Sequence, residues 1–244
     1  MKELFADFLE KTNYPNLSTT PQQQGVTQPP LELPWPDDAE LIELTQPADL
    51  NTPSADLRQM IEQRRSLRRY DHKALTLNEL SYLLWLTQGV KRITGRPATL
   101  RTVPSAGARH AFETYLLVNR VEGLEPGLYR FIATRHALLR VEAPADIDVQ
   151  LTAARRQQEH VLHSAVTFLW VAVVERMTWR YVERSLRYLF LDAGHVCQNL
   201  YLAAESIGCG VCAVDAFDDE PVNQLVHADG VDQFTVYMAT VGKK

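Results

Sequence analysis

Residues 64 to 68 read Arg-Arg-Ser-Leu-Arg, and that combination suits one kind of ligand. A phosphate monoester dianion is best held by guanidinium forks together with a hydroxyl donor at close range. Arginines at a helix exit also satisfy terminal carbonyls and solvate a surface, so the pentapeptide alone is not decisive. A second segment, Pro104-Ser105-Ala106-Gly107-Ala108-Arg109-His110, joins a loop to a strand with small residues and a glycine. Such a composition lets backbone approach a flat ring closely, or makes a tight structural turn.

Other candidates carry less chemistry. Gly208-Cys209-Gly210-Val211-Cys212-Ala213 matches the letters of a dinucleotide fingerprint, but a helix precedes it and too little chain follows for a βαβ unit, so Rossmann binding is not expected. Cys209 and Cys212 follow a helix's end instead of opening a helix, which argues for buried structural thiols over a redox pair. His160 and His163 have no further ligands at a useful spacing, and no metal site is expected. The acids Asp215, Asp218, Asp219 and Glu220 crowd one loop, where solvated capping explains most of them.

The elements that must position these groups follow from periodicity and caps. Ser54 is placed to cap a helix in which Leu57, Met60 and Ile61 share a face, delivering the arginines at its exit. Thr76 with Glu79 forms a capping box for a second helix that stops at Gly89. An Arg-, Gly- and Pro-rich loop leads to Pro104. Phe112 to Val121, Leu128 to Ala133 and Leu138 to Glu142 read as strands, with Pro126-Gly127 turning between the first two. Asp146 to Gln158 looks helical, Ala165 to Val174 a buried central strand, and Ser185 to Ile207 the longest helix, ended by Gly208. Asp218 or Asp219 caps a short helix, and Phe234 to Val241 closes as a strand.

The 244 residues, 45% hydrophobic and 23% charged, suit one compact unit with an appendage. That appendage is residues 1–53, which hold eight of the thirteen prolines. Beyond a short amphipathic helix near Leu4 to Phe8, it reads as an extended strap across a partner subunit or as a disordered tail. Residues 1–57 carry two lysines, no arginine and ten acids, a net of −8, so the rest of the chain carries +3 of the total of −5. An overall acidic chain is not expected to bind nucleic acid. The segment Met1 to Tyr14 lacks the order of a secretory signal, and no apolar run approaches a membrane span, so a cytoplasmic location without membrane contact is expected.

Taken in order, RRSLR at 64–68, PSAGARH at 104–110, GLEPGLYRF at 123–131, LDAGHVCQNLYLAAESIGCG at 191–210 and DAFDD at 215–219 resemble the nitroreductase superfamily, and more closely its SagB-type dehydrogenase branch. The resemblance spans about residues 55 to 244. It implies an α+β fold, a central mostly antiparallel sheet flanked by helices, in an intertwined homodimer with FMN at the interface. By resemblance, Arg64, Arg65 and Ser66 meet the FMN phosphate and ribityl chain, and Arg68 lies near the pyrimidine edge. Pro104, Ser105, Ala106 and Gly107 run along the ring, the backbone of Asp215 and Ala216 reaches N5, and Lys243 or Lys244 completes the phosphate site. The implied chemistry is ping-pong electron transfer, with NADH or NADPH as possible donor and a small-molecule or peptide substrate. Relatives that oxidise azoline rings carry a Lys-Tyr pair where this chain has Arg187-Tyr188. Arginine stays protonated, so Tyr188 is the candidate acid. The alternatives are a dedicated azoline dehydrogenase and a flavin-binding scaffold without turnover.

Overall fold

A computed structural model describes residues 1–51, 54–154 and 159–244. Seven strands form one sheet: β1 Leu41–Glu43, β4 Phe112–Val118, β5 Gly127–Ile132, β6 Ala137–Val141, β7 Val166–Val173, β8 Cys209–Val214 and β9 Gln233–Lys243. Their order across the sheet is β1-β6-β5-β4-β7-β9-β8, and every neighbouring pair is antiparallel. The remaining strands, β2 Val90–Ile93 and β3 Thr99–Arg101, form a separate ribbon.

All residues of β4 and β7 are buried because both faces of the sheet are covered. Alternation along β7 divides two cores. Phe168 and Trp170 pack with the helices α3, Leu77–Gln88, and α7, Ser185–Ser206. Leu169 and Val171 pack on the other side with α4, Ile147–Ala154, and α8, Asp219–Leu225. The chain also forms α1 Lys2–Lys11, α2 Leu57–Gln63, α5 His160–His163 and α6 Val174–Tyr181. None of the helices in the described residues is long and apolar enough to cross a membrane.

The predicted α+β architecture is observed, as is the capping box: Glu79 N–H donates to the Thr76 hydroxyl and Thr76 N–H to the Glu79 carboxylate. Four details differ. Asp56, not Ser54, caps α2 by accepting from Gln59 N–H at 2.8 Å, since the helix begins later than the apolar spacing suggests. The reversal before β5 is made at Val121–Leu124, with Gly123 at φ +81°, and not by Pro126-Gly127. The Arg-rich loop before Pro104 contains the β2–β3 ribbon. The helix expected over Asp146 to Gln158 is described as far as Ala154; its last four positions lie outside the described residues.

The first fifty residues lie across their own subunit. Beyond α1, Lys2–Lys11, prolines interrupt any longer helix and leave carbonyls facing the body, where arginines donate to them. Arg176 Nε donates to the Pro30 carbonyl at 2.9 Å and Arg130 Nη2 to that of Pro34 at 2.9 Å. Leu33 N–H donates to Glu113, whose carboxylate also pairs with Arg176 at 2.6 Å, both side chains being at most 3% exposed. Further along, β1 adds to β6 at the sheet edge. Much of the body's arginine excess therefore holds its own acidic extension.

Candidate functional site

Two groups of predicted site residues assemble at different places on α7. In the first, α2 ends at Gln63 and the chain runs beside β8: Ser66 bridges Val211 in parallel sense, and Leu67 N–H donates to the Val211 carbonyl at 2.8 Å. Gly210 and Gly242 make this possible, because a Cβ at either would collide with Leu67 or Tyr70. The glycines that imitate a dinucleotide motif thus admit side chains of the arginine segment, and Gly208, at φ +68°, ends α7. Arg64 lies over the Tyr201 ring at 5.1 Å, and the Ser66 hydroxyl is 3.0 Å from that of Tyr201, which in turn accepts from Ala213 N–H. Arg65 and Arg68 are exposed beside them.

From Tyr201 the same face of α7 runs back through Cys197 and Gly194 to Phe190, a distance of about 16 Å at 1.5 Å per residue. Phe190, Ala193 and Gly194 line a cavity of about 330 Å³ with Asp215, Val236 and Tyr237. A Cβ on Gly194 would meet nothing within 4 Å. Asp215 and Ala216 stand exposed just past the end of β8. The arrangement is a cationic end, a groove with an open glycine floor and a cavity at its far end, and it fits an elongated phosphate ester carrying a ring system. Lys243 does not extend the cationic end, since its ammonium pairs with Glu79, and Lys244 pairs with Glu205.

The second group surrounds the Pro104–Gly107 loop. Gly107 (φ +58°), Ala108 (φ +52°) and His110 (φ +42°) all occupy the left-handed region, which is costly at the two non-glycine positions. Asp192 of α7 holds this backbone: its Oδ1 accepts from Ala106 N–H at 3.3 Å, and the Ser105 hydroxyl also reaches the carboxylate. Burial raises the Asp192 carboxyl above its usual value against those two donors. A Cβ at Gly107 would strike the Tyr181 hydroxyl. Burial, with Arg101 and Arg109 nearby, pushes His110 down to about 3, so its ring is neutral.

Tyr188 and Arg187 belong to this second group, at the corner between α6 and α7 that Val182 turns at φ +39°, an unusual conformation for a β-branched residue. The Tyr188 ring lies 4.6 Å from that of Tyr181, and its hydroxyl is 2.8 Å from the Tyr14 hydroxyl. Arg187 donates to the Thr12 hydroxyl at 2.6 Å and the Leu9 carbonyl at 3.2 Å.

The relation between the groups is fixed by α7. Asp192 and Tyr201 stand about two and a half turns apart, on opposite sides of the helix. All three cysteines are buried, which pushes Cys197 up to about 12 and Cys209 up to about 11.

Residues 61–243 match the model of the Nitroreductase family. The chain belongs to that family. Its members are oxidoreductases, typically FMN-dependent flavoproteins. Over 188 residues the chain is 34% identical to "Putative nitroreductase MJ1384" of Methanocaldococcus jannaschii, covering 77% of this chain and 91% of that protein. A solved nitroreductase structure from Ralstonia eutropha is 25% identical and superposes with a TM-score of 0.67, covering 83% of this chain and 89% of the other. The chain is also 32% identical over 115 residues to the trifolitoxin-processing protein TfxB of Rhizobium leguminosarum, 44% of this chain but 30% of TfxB. A chain of the E. coli microcin synthetase McbBCD complex shares the fold, with 17% identity, a TM-score of 0.63, and coverage of 99% of this chain and 92% of the other.

Reading the sequence missed Tyr201, Asp192, Gly194 and the contacts of Tyr14. Their helical spacing marks Tyr201 and Gly194 as one face of α7, the single signal that could have found them.

Proposed function

We propose that this nitroreductase is an FMN-dependent oxidoreductase acting as a homodimer, each flavin site being built from two chains. One observation carries the reading: Asp192 and the loop it holds lie on the opposite side of α7 from Tyr201 and the arginine segment. A single chain holds the two sets on opposite faces of α7, and a twofold pairing of α7 helices would bring one set from each chain to a shared ligand. The exposed apolar side chains Leu186, Phe190 and Leu191 on α7 support such a pairing.

In this reading Arg64, Arg65 and Ser66 bind the phosphate and ribityl end, and Arg68 lies at the pyrimidine edge of the ring. The cavity at Gly194 receives the ring, with the backbone at Asp215 and Ala216 beside it and the partner's Pro104 to Gly107 segment facing it. When bound, FMN supplies reversible hydride and electron transfer at N5. The side chains supply the rest. A fixed guanidinium at Arg68 favours the electron-rich ring, and apolar walls exclude water. Tyr188 handles the proton that accompanies transfer to or from the substrate. Donor and acceptor use the same cleft in turn, with NADH or NADPH as donor.

A second reading, azoline oxidation in peptide maturation, is favoured by the similarity to TfxB. It differs in substrate and direction while using the same residues. The test is the absorbance spectrum of the pure protein, mass identification of released flavin, and stopped-flow mixing with NADH, NADPH or a thiazoline peptide. Bleaching by a nicotinamide supports the first reading and by a thiazoline the second. Colourless protein that refuses added FMN defeats both, and yellow protein that none of these reduces points to a scaffold.

A further inference from the structure

The family match begins at residue 61, yet the hydroxyl nearest to that of Tyr188 comes from residue 14. The contact is one of a set. Arg184 lies 4.4 Å over the Tyr14 ring, donates from Nε to the Tyr188 hydroxyl at 3.2 Å and from Nη1 to the Thr12 carbonyl at 2.7 Å. Ser18 bonds Glu183, and Arg187 lies 5.4 Å over the Phe8 ring. Residues 183–188 at the α6–α7 corner therefore grip residues 8–18 and fix the Tyr14 hydroxyl against Tyr188. Tyr14 itself is 61% exposed and faces water.

We propose that Tyr14 is a positioning residue for Tyr188, orienting its hydroxyl and relaying protons between it and bulk water. The proposal rests on the reading of Tyr188 as the proton-handling group. The proton balance is simple: Tyr188 gives its proton to the substrate atom, takes one from the Tyr14 hydroxyl, and Tyr14 recovers one from water. In the opposite direction each transfer reverses.

The groups facing Tyr188 agree with this. Burial disfavours its phenolate, but the Tyr14 hydroxyl and the Arg184 and Arg187 guanidiniums outweigh burial and hold the phenol below its ordinary value. Tyr14 is correspondingly raised by its bond to Tyr188 and by the nearby phenolate. Tyr181 is the remaining titratable neighbour, packed by its ring. The two phenols share their protons, so the first ionisation belongs to the pair.

The experiment is a tyrosinate absorbance titration of the full chain, of Tyr14→Phe and of Tyr188→Phe. Phenylalanine keeps a ring beneath Arg184, so packing is retained while the hydroxyl is lost. The pair's first step is expected to move up by about one unit in Tyr14→Phe, the loss of one hydrogen bond to an anion. The alkaline limb of the kcat profile, with whichever donor reduces the flavin, is expected to move with it while KM stays. An unmoved titration step overturns the proposal, as does an unmoved limb that Tyr188→Phe abolishes. A limb that survives Tyr188→Phe defeats the reading of Tyr188 itself and the relay with it.

Discussion

Two chains, each damaged in a different half of the site, should restore one good site when they pair. Arg65→Glu removes an exposed guanidinium from the proposed phosphate end and introduces a like charge. The loss of one charge-assisted hydrogen bond alone costs about 1.5–3 kcal/mol, or about ten- to a hundredfold in flavin affinity. Gly107→Val strikes the other half, since a valine must take φ +58° and place its Cβ on the Tyr181 hydroxyl. That combination costs about 1–3 kcal/mol locally and displaces the loop held by Asp192. Each altered chain alone is expected to be nearly flavin-free at concentrations that saturate the parent. Unfolded together and refolded as an equal mixture, the chains pair at random, half of them as mixed dimers. In a mixed dimer one site carries both lesions and the other carries neither, so about a quarter of all sites bind. Flavin fluorescence quenching against total protein reads that fraction, and two affinity tags isolate the mixed species, which should hold one FMN per dimer. If each site were made by a single chain, every site would keep one lesion. Mixed dimers as empty as their parents would therefore refute the composite site.

Four further outcomes follow from particular contacts. Gly194→Ala should raise the unfolding free energy by about 1 kcal/mol in urea, because a helix-interior glycine is replaced where a Cβ meets nothing; a loss of stability would mean the groove is already filled. Arg176→Met should cost about 3–5 kcal/mol in the same assay by leaving the Glu113 carboxylate buried without its partner, and a change below 1 kcal/mol would remove the pair from the structural framework. His110 is held down to about 3, so above about pH 6.5 the folded and unfolded chains are equally unprotonated there, and below it only the unfolded chain takes the proton. Its contribution to stability should accordingly fall by about 3 kcal/mol between pH 6.5 and 4, a slope that His110→Gln should lack. Arg187→Lys keeps the charge but loses the fork that reaches both Thr12 and Leu9, so amide exchange in Lys2–Lys11 should quicken while helix α7 stays protected.

The parts of the fold governed by local rules were legible. Thr76 and Glu79 meet within one helical turn, and the α7 stripe repeats every three or four residues, so both could be read from spacing alone. Strands β4, β5, β6, β7 and β9 were found by their apolar content, with ends shifted by a few positions. What escaped depends on distant chain. The Pro104–Gly107 loop is pinned by Asp192, some eighty-six positions away, and nothing near residue 104 announces it. Ser54 and Asp56 are equally good caps by type, and only packing of α2 against α7 decides where that helix starts. The extension was ambiguous because proline-rich, acidic sequence is compatible with disorder; its order here comes from arginines contributed by four separate parts of the body, at 109, 130, 176 and 184.

The arginines also explain how one surface charge pattern serves two ends. Lysine would neutralise the acidic extension as well as arginine does, but its three donors radiate from one nitrogen and do not span separated partners as a planar guanidinium fork does. Arg176 serves Pro30 and Glu113 together, and Arg184 serves Thr12, Tyr14 and Tyr188. A chain that uses guanidiniums to fasten its own first residues has, at position 187, a group too permanently charged to act as a base. Arg187 instead bonds Thr12 and Leu9, and in the proposed reading its neighbour Tyr188 is the proton-handling member of the pair. In this chain the arginine that cannot serve as a base at the corner supplies part of the clamp that brings a second phenol to it.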